Sequence, residues 1–308
     1  MKQFRLTHPF ISATGALLLA VIAFVSGVTA VSLLSNVGAP AETAIAATAA
    51  FPAPLVLDPN TLLAKAAVVY DPTTGRILYA KNSQTPLPLA SLTKLMTATT
   101  VLTYNSGNPS VTISPDELLQ GGDAGDLGFQ AGDTILLSNL LQMGLIASSN
   151  NAMQAAASTL GPEYLETMKK TADSLGLSDM QFYNPTGLDM STTTAGAYGS
   201  AYDMARLAAY FSENYPQYFD LTTQSHVSIP DGNHTLTAAA TAVPLENIPG
   251  LIGAKTGYTD LAGGNLVAVF DIEVGHPLVA VVLGSTEDGR FSDMQTLIQV
   301  ARAQTSSL

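Results

Sequence analysis

Three short polar constellations carry residue types that can do chemistry together. The first is Ser91-Leu92-Thr93-Lys94. Residues at i and i+3 share one helix face, so on a helix Lys94 can reach back to the Ser91 hydroxyl. A serine needs a base to become a nucleophile, and a desolvated lysine can be that base. A helix start at Ser91 adds a field that favours developing negative charge. The plainer alternative is an N-cap serine followed by a surface lysine.

The second pattern is S-x-N, which starts at Ser106, Ser148, Ser149 and Ser212. Ser106-Gly107-Asn108 reads as a turn, and Ser212 with Asn214 as a helix end at the surface. Ser148-Ser149-Asn150 differs. It follows the apolar run Ile135–Ile146 and precedes Asn151-Ala152-Met153. Its polar groups therefore lie between two buried helices, where they need partners. A helix cap is the simplest structural use of them.

The third is Lys255-Thr256-Gly257, within Gly250–Gly264. On a strand edge a lysine and a threonine hydroxyl can grip a carboxylate, while the glycine lets a substrate backbone approach. A phosphate-binding loop is excluded, because Lys255 follows Ala254 where that loop needs glycine. The alternative is a charged strand end.

The elements that must position these groups follow from hydrophobic spacing. Ala66–Tyr70 and Arg76–Ala80 read as strands, and Asp71-Pro-Thr-Thr-Gly75 closes them into a hairpin. Helical spacing then predicts helices over 91–104, 134–147, 151–160, 163–175 and 201–213. Strand patterns return at Leu251-Ile252, Gly264–Ile272 and Leu278–Gly284, with a turn at Gly275-His276-Pro277. A last helix is expected over Phe291–Ala303. Strands at both ends and helices between them predict an α+β fold. One antiparallel sheet joins the early hairpin to the late strands, helices pack on it, and the helical middle forms an all-α lobe. The cleft between the two is the expected place for a site.

In this order, the three patterns match the set found in penicillin-binding proteins and class A β-lactamases. Over residues 61–305 the chain resembles the low-molecular-mass penicillin-binding proteins, the serine-type D-alanyl-D-alanine carboxypeptidases. The resemblance also rests on Ala67–Tyr79, Asn184-Pro-Thr-Gly-Leu-Asp189 and Ala201-Tyr-Asp-Met-Ala205. Ser149 stands where that family usually has glycine. The resemblance implies the β-lactamase/DD-peptidase-like fold and acyl transfer on peptidoglycan stem peptides ending in D-Ala-D-Ala. It implies Ser91 as nucleophile, Lys94 as base and Ser148 as proton relay assisted by Lys255. Asn150 would hold the substrate backbone and orient Lys94. Backbone N–H groups of Ser91 and Tyr258 would form an oxyanion hole beside Gly257. Lys255 and Thr256 would hold the terminal carboxylate, with Arg290 as a second cation; the alternative for Arg290 is a surface residue at a helix start. β-Lactams would be covalent inhibitors, and no metal or organic cofactor is required.

A D,D-endopeptidase cutting crosslinks would use the same residues. A class A β-lactamase needs a glutamate-activated water, and no Glu occurs between Glu166 and Glu213. A non-catalytic cell-wall binder of the same fold is disfavoured by the intact Ser91, Lys94, Ser148 and Lys255.

Composition narrows the remaining classes. The chain of 308 residues has a net charge of −12 and no clustered Lys or Arg, which argues against a nucleic-acid surface. It has no Cys, which removes disulfides, thiolate metal sites and cysteine nucleophiles. His8, His226, His234 and His276 show no zinc-peptidase spacing.

The N-terminus reads as a route across a membrane. Residues 1–8 carry Lys2 and Arg5, and Pro9–Leu34 has no charged side chain. A run of that length can span a bilayer, with its basic start on the cytoplasmic side. The expectation is a transmembrane anchor over 9–34. The alternative is a signal peptide cleaved after Val28-Thr-Ala30, Ala44-Ile-Ala46 or Ala47-Thr-Ala49, although its apolar region would be longer than usual. Residues 35–60, rich in Ala, Thr and Pro, read as a linker to the peptidase domain at 61–308. Many relatives add a β-rich C-terminal domain and an amphipathic anchor. The sequence stops just after the last expected helix, which makes the N-terminal segment the expected tether.

Overall fold

A computed structural model describes residues 57–119, 127–231, 234–245 and 247–305. The expected anchor or signal over 9–34 and the linker up to residue 56 lie outside the described residues. Among the described residues no helix is long and apolar enough to cross a membrane.

The described chain begins with the hairpin β1 (Ala66–Asp71) and β2 (Arg76–Lys81). Asp71 shapes its turn by accepting from the Thr73 amide at 2.9 Å and the Thr74 hydroxyl at 2.8 Å. Next come β3 (Leu87–Pro88), a 3-10 turn at Ala90–Leu92, and α1 (Thr93–Tyr104). The middle holds β4 (Ser110–Thr112), α2 (Pro115–Leu119), β5 (Thr134–Leu136), α3 (Leu137–Ile146), α4 (Asn150–Ser158) and α5 (Tyr164–Ser174). Then follow β6 (Gln181–Phe182), β7 (Ala197–Gly199), α6 (Ala201–Asn214), α7 (Pro216–Phe219), β8 (His226–Asp231) and β9 (His234–Ala239). The chain returns through β10 (Leu251–Thr259), β11 (Gly263–Glu273), β12 (His276–Ser285) and α8 (Gly289–Thr305).

The five-stranded sheet has the order β10-β11-β12-β1-β2, and every neighbouring pair is antiparallel. Val68 of β1 lies opposite Val281 of β12, which in turn lies opposite Val267 of β11. The early hairpin thus extends the late three-stranded meander, as the residue pattern predicts. Both faces are covered, and the period of two sorts the side chains. Val68, Val267 and Val281 join a core with Leu92 of the 3-10 turn and Met204, Leu207 and Phe211 of α6. Their neighbours Ala67, Val69 and Val282 join a second core with Met294, Leu297 and Ile298 of α8.

The middle is not an all-α lobe: strands β4 to β9 lie among its helices, and the short helices α2 and α7 add to those expected. Residues 134–136 are not helical: Thr134 and Leu136 are exposed and Ile135 buried, and β5 pairs with β4. The small sheet β3-β7-β6 and the hairpin β8–β9 were not expected. Strands of two or three residues are too short to show a period. Pro230 disguises β8, since proline reads against a strand interior.

Candidate active site

The Ser91 turn is held in an unusual backbone shape. Ala90 takes φ +49°, in the left-handed region that a non-glycine residue seldom occupies. The Thr93 hydroxyl donates to the Ala90 carbonyl at 2.7 Å. Two glycines make room for the turn. A Cβ on Gly257 would lie 3.0 Å from the Leu89 carbonyl and 3.1 Å from the Ser91 amide nitrogen. A Cβ on Gly187 would lie 1.8 Å from the Ala90 carbonyl oxygen. Strand β10 and the loop around Gly187 therefore close on Ser91 from separate parts of the chain. Ser91 lies on the 3-10 turn, and α1 begins two residues later.

Lys94, in the first turn of α1, is fully buried. Its Nζ lies 2.7 Å from Ser91 Oγ, 2.7 Å from Asn150 Oδ1 and 3.1 Å from the Thr186 carbonyl. Burial pushes its pKa well below the ordinary lysine value, and the nearby charge of Lys255 pushes it the same way. A neutral amine has two protons and one lone pair. The Asn150 and Thr186 oxygens can only accept, whereas the Ser91 hydroxyl can also donate. The neutral lysine can satisfy both carbonyls and turn its lone pair to Ser91.

The Ser148-Ser149-Asn150 segment divides its work. Ser149 is the cap: its hydroxyl accepts from the Ala152 amide at 3.3 Å at the start of α4. Ser148 takes φ +61°, and its Oγ accepts from Lys255 Nζ at 2.9 Å. Strain of this kind persists only where the surroundings enforce it. Asn150, the first residue of α4, faces Lys94. The structural cap thus falls on Ser149, and both flanking residues reach buried lysines.

Lys255 sits on the edge strand β10 and is fully buried. Besides Ser148 it donates to the Thr256 carbonyl at 3.0 Å. Burial, followed by the charge of Arg290, lowers its pKa to about 7. Arg290 is not a surface residue: it is 9% exposed, and its Nη1 donates to the Gly257 carbonyl at 3.0 Å. It braces β10 where that strand passes Ser91. The Thr256 hydroxyl donates to Thr241 Oγ1 at 2.6 Å, and the Tyr258 side chain is exposed.

The structure therefore forms two linked sets of contacts. Ser91, Lys94 and Asn150 make one; Ser148, Lys255 and Thr256 make the other. Gly257 and Arg290 lock β10 beside the Ser91 turn. Such a site can activate a serine hydroxyl with a neutral amine and offer a second lysine–serine pair for proton transfer or anion binding.

Spacing alone did not reveal the loop that supplies the Thr186 carbonyl. Asn184 Oδ1 accepts from the Thr186 amide at 3.1 Å and the Gly187 amide at 2.7 Å. Asp189 accepts from the Thr259 hydroxyl at 3.0 Å and the Leu261 amide at 3.2 Å. The loop is folded around Asn184 and latched to the end of β10. Its residue string marks it, but a functional main-chain carbonyl leaves no side-chain signature. Thr241 has no motif signal.

The sequence profile of the D-alanyl-D-alanine carboxypeptidases matches residues 53–287. The chain is 31% identical over 260 residues to D-alanyl-D-alanine carboxypeptidase DacF of Bacillus subtilis, covering 78% of this chain and 62% of that protein. It is 30% identical over 225 residues to a D-alanyl-D-alanine endopeptidase of Haemophilus influenzae, covering 70% of this chain and 73% of that protein. Penicillin-binding protein D2 of Listeria monocytogenes, solved with ampicillin bound, superposes with a TM-score of 0.65 at 27% identity, covering 78% of this chain and 97% of that one. A D-alanyl-D-alanine carboxypeptidase from Mycobacterium tuberculosis shares the fold, with a TM-score of 0.72 at 24% identity, covering 82% of this chain and 95% of that one. The chain spans less than two thirds of the length of DacF. With its three motifs in place and the profile matched across most of its length, the chain belongs to the D-alanyl-D-alanine carboxypeptidase family of serine peptidases.

Proposed function

We propose that this chain is a serine-type D,D-carboxypeptidase that removes the terminal D-Ala from peptidoglycan stem peptides through an acyl-enzyme on Ser91. The observation that carries the reading is the buried Lys94 amine, 2.7 Å from Ser91 Oγ and held well below its ordinary pKa. Ser91 attacks the carbonyl between the two D-alanines, and its proton passes to Lys94. The oxyanion is stabilised by the backbone N–H groups of Ser91 and Tyr258. Ser148, bonded to Lys255, relays the proton taken up by Lys94 to the leaving amine, and the terminal D-Ala departs. Water then hydrolyses the ester and frees Ser91. Asn150 holds Lys94 and the substrate backbone. Lys255 and Thr256 take the terminal carboxylate, while Arg290 adds positive charge from behind β10. β-Lactams acylate the same serine.

In this reading residues 9–34 anchor the chain in the cell membrane, with residues 61–308 outside the cytoplasm. N-terminal sequencing of the mature protein checks this. An intact start supports the anchor; a start near Val31, or from Ala47 to Ala50, means a cleaved signal.

The activity is tested by mass spectrometry of muropeptides after incubation with the full-length chain. Loss of one alanine from monomers supports the carboxypeptidase. Loss of crosslinked dimers with monomers untouched contradicts it in favour of an endopeptidase, the activity named for the Haemophilus influenzae relative.

A further inference from the structure

The Thr256 hydroxyl is engaged within the protein itself. It donates to Thr241 Oγ1, and the two oxygens are 2.6 Å apart. Thr256 is 3% exposed, whereas Thr241 is half-buried. A carboxylate accepts hydrogen bonds and donates none. In this arrangement Thr256 shows a carboxylate only its lone pairs. To bind one, Thr256 must turn its proton away from Thr241. Two hydroxyl oxygens this close need a proton between them. Thr241 can supply it by a small rotation of its side chain, because its own hydroxyl proton is not used in the Thr256 bond.

Thr241 is also fixed where such a part is needed. It follows β9 on the chain, and its amide donates to the carbonyl of Ile146 at 3.1 Å. Ile146 ends α3, two residues ahead of Ser148. The preceding residue, Ala240, is tied to the Ser225 carbonyl at 2.9 Å. One residue thus joins the corner that presents Ser148 to the strand that carries Lys255 and Thr256.

We propose that Thr241 is a positioning residue for carboxylate recognition: it holds the Thr256 hydroxyl at the edge of β10 and returns a proton to it when a substrate carboxylate draws the Thr256 proton outward. The inference rests on the proposed role of Thr256 at the carboxylate. The resulting chain, Thr241 to Thr256 to carboxylate, has each hydroxyl donating in the same direction, so each bond polarises the next.

The test uses full-length protein, a peptide ending in D-Ala-D-Ala and the C-terminal amide of that peptide. Thr241→Val removes the hydroxyl at nearly constant shape, and Thr241→Ser restores it. With the free acid, Thr241→Val is expected to lower kcat/KM by about tenfold, the upper end of the scale for one neutral hydrogen bond, mostly through KM. The amide should lose less than about twofold, and Thr241→Ser should recover most of the acid activity. Circular dichroism and the thermal midpoint confirm that the variants fold. Equal losses on acid and amide would make Thr241 merely structural, and unchanged or improved acid turnover would remove it from recognition; either overturns the proposal. Thr256→Val separates this failure from that of the underlying reading. If Thr256→Val collapses the acid-over-amide preference and Thr241→Val does not, only the Thr241 inference falls. If Thr256→Val leaves the preference intact, the carboxylate site is elsewhere and both fall.

Discussion

Asn150 Oδ1 lies 2.7 Å from Lys94 Nζ, across 56 residues of chain and between two helices. An amide oxygen in that position stabilises the amine without adding charge, which suits a base that must be neutral. Asn150→Asp keeps the shape and adds a negative charge. An opposite charge at this distance raises a lysine pKa. The variant should lose at least about tenfold in acylation rate at neutral pH and recover as pH rises. A stopped-flow pH profile of β-lactam acylation reads this. A loss that does not vary with pH would make Asn150 a spacer.

The two lysines should give opposite limbs in the pH profile of kcat/KM, which reports the free enzyme. Lys94 acts as a neutral base, so activity rises as pH passes upward through its lowered pKa. Lys255 holds a carboxylate as a cation. Activity on a free-acid peptide should therefore fall as pH rises through about 7. Arg290→Met removes a like charge and should shift that falling limb upward, while burial, the larger cause, keeps it below the ordinary lysine range. A limb that stays in place would show that another group titrates there.

Lys255→Ala should injure substrates that carry the carboxylate most. Removing one partner of a desolvated charge pair costs about 2–5 kcal/mol. The expected loss in kcat/KM on a D-Ala-D-Ala peptide is about 30-fold or more. The C-terminal amide should be poor with the wild type and lose much less on mutation. Equal fractional losses would take Lys255 out of the carboxylate site.

Gly187→Ala should damage both stability and catalysis. Gly187 has φ +79°, and an added Cβ would fall 1.8 Å from the Ala90 carbonyl. The backbone strain alone costs about 1–3 kcal/mol, and relieving the clash would displace the Thr186 carbonyl from Lys94. Urea unfolding and penicillin acylation should both report the loss. Wild-type values in both would contradict this role for the loop.

The parts that could be read from residues were those in which side-chain type and period carry the information. The β1–β2 hairpin announced itself through Asp71 and Gly75, and β11 and β12 through their apolar runs. The i, i+3 spacing of Ser91 and Lys94 already implied their contact. Long-range geometry was not legible. Nothing in Ser148-Ser149-Asn150 tells which serine caps α4 and which is strained toward Lys255. Arg290 looked equally suited to the surface, because its acceptor is a main-chain carbonyl on another element. Thr186 acts through its carbonyl, a group that no side-chain pattern marks, and Thr241 acts through a single hydroxyl contact with no periodic or motif signature. Ile135 reads as helical from the sequence because an apolar residue beside an apolar helix fits both patterns; pairing with β4 makes it a strand.

The central claim is that Ser91 is the nucleophile and Lys94 its base. The most direct test is peptide mapping by mass spectrometry after brief exposure of the full-length chain to penicillin, with Ser91→Ala and Lys94→Arg alongside. The wild type should carry the acyl adduct on the peptide containing Ser91, and Ser91→Ala should carry none. Lys94→Arg should label very slowly, because arginine stays protonated and cannot take the serine proton. An adduct on another residue, or undiminished labelling of Ser91→Ala, would contradict the account.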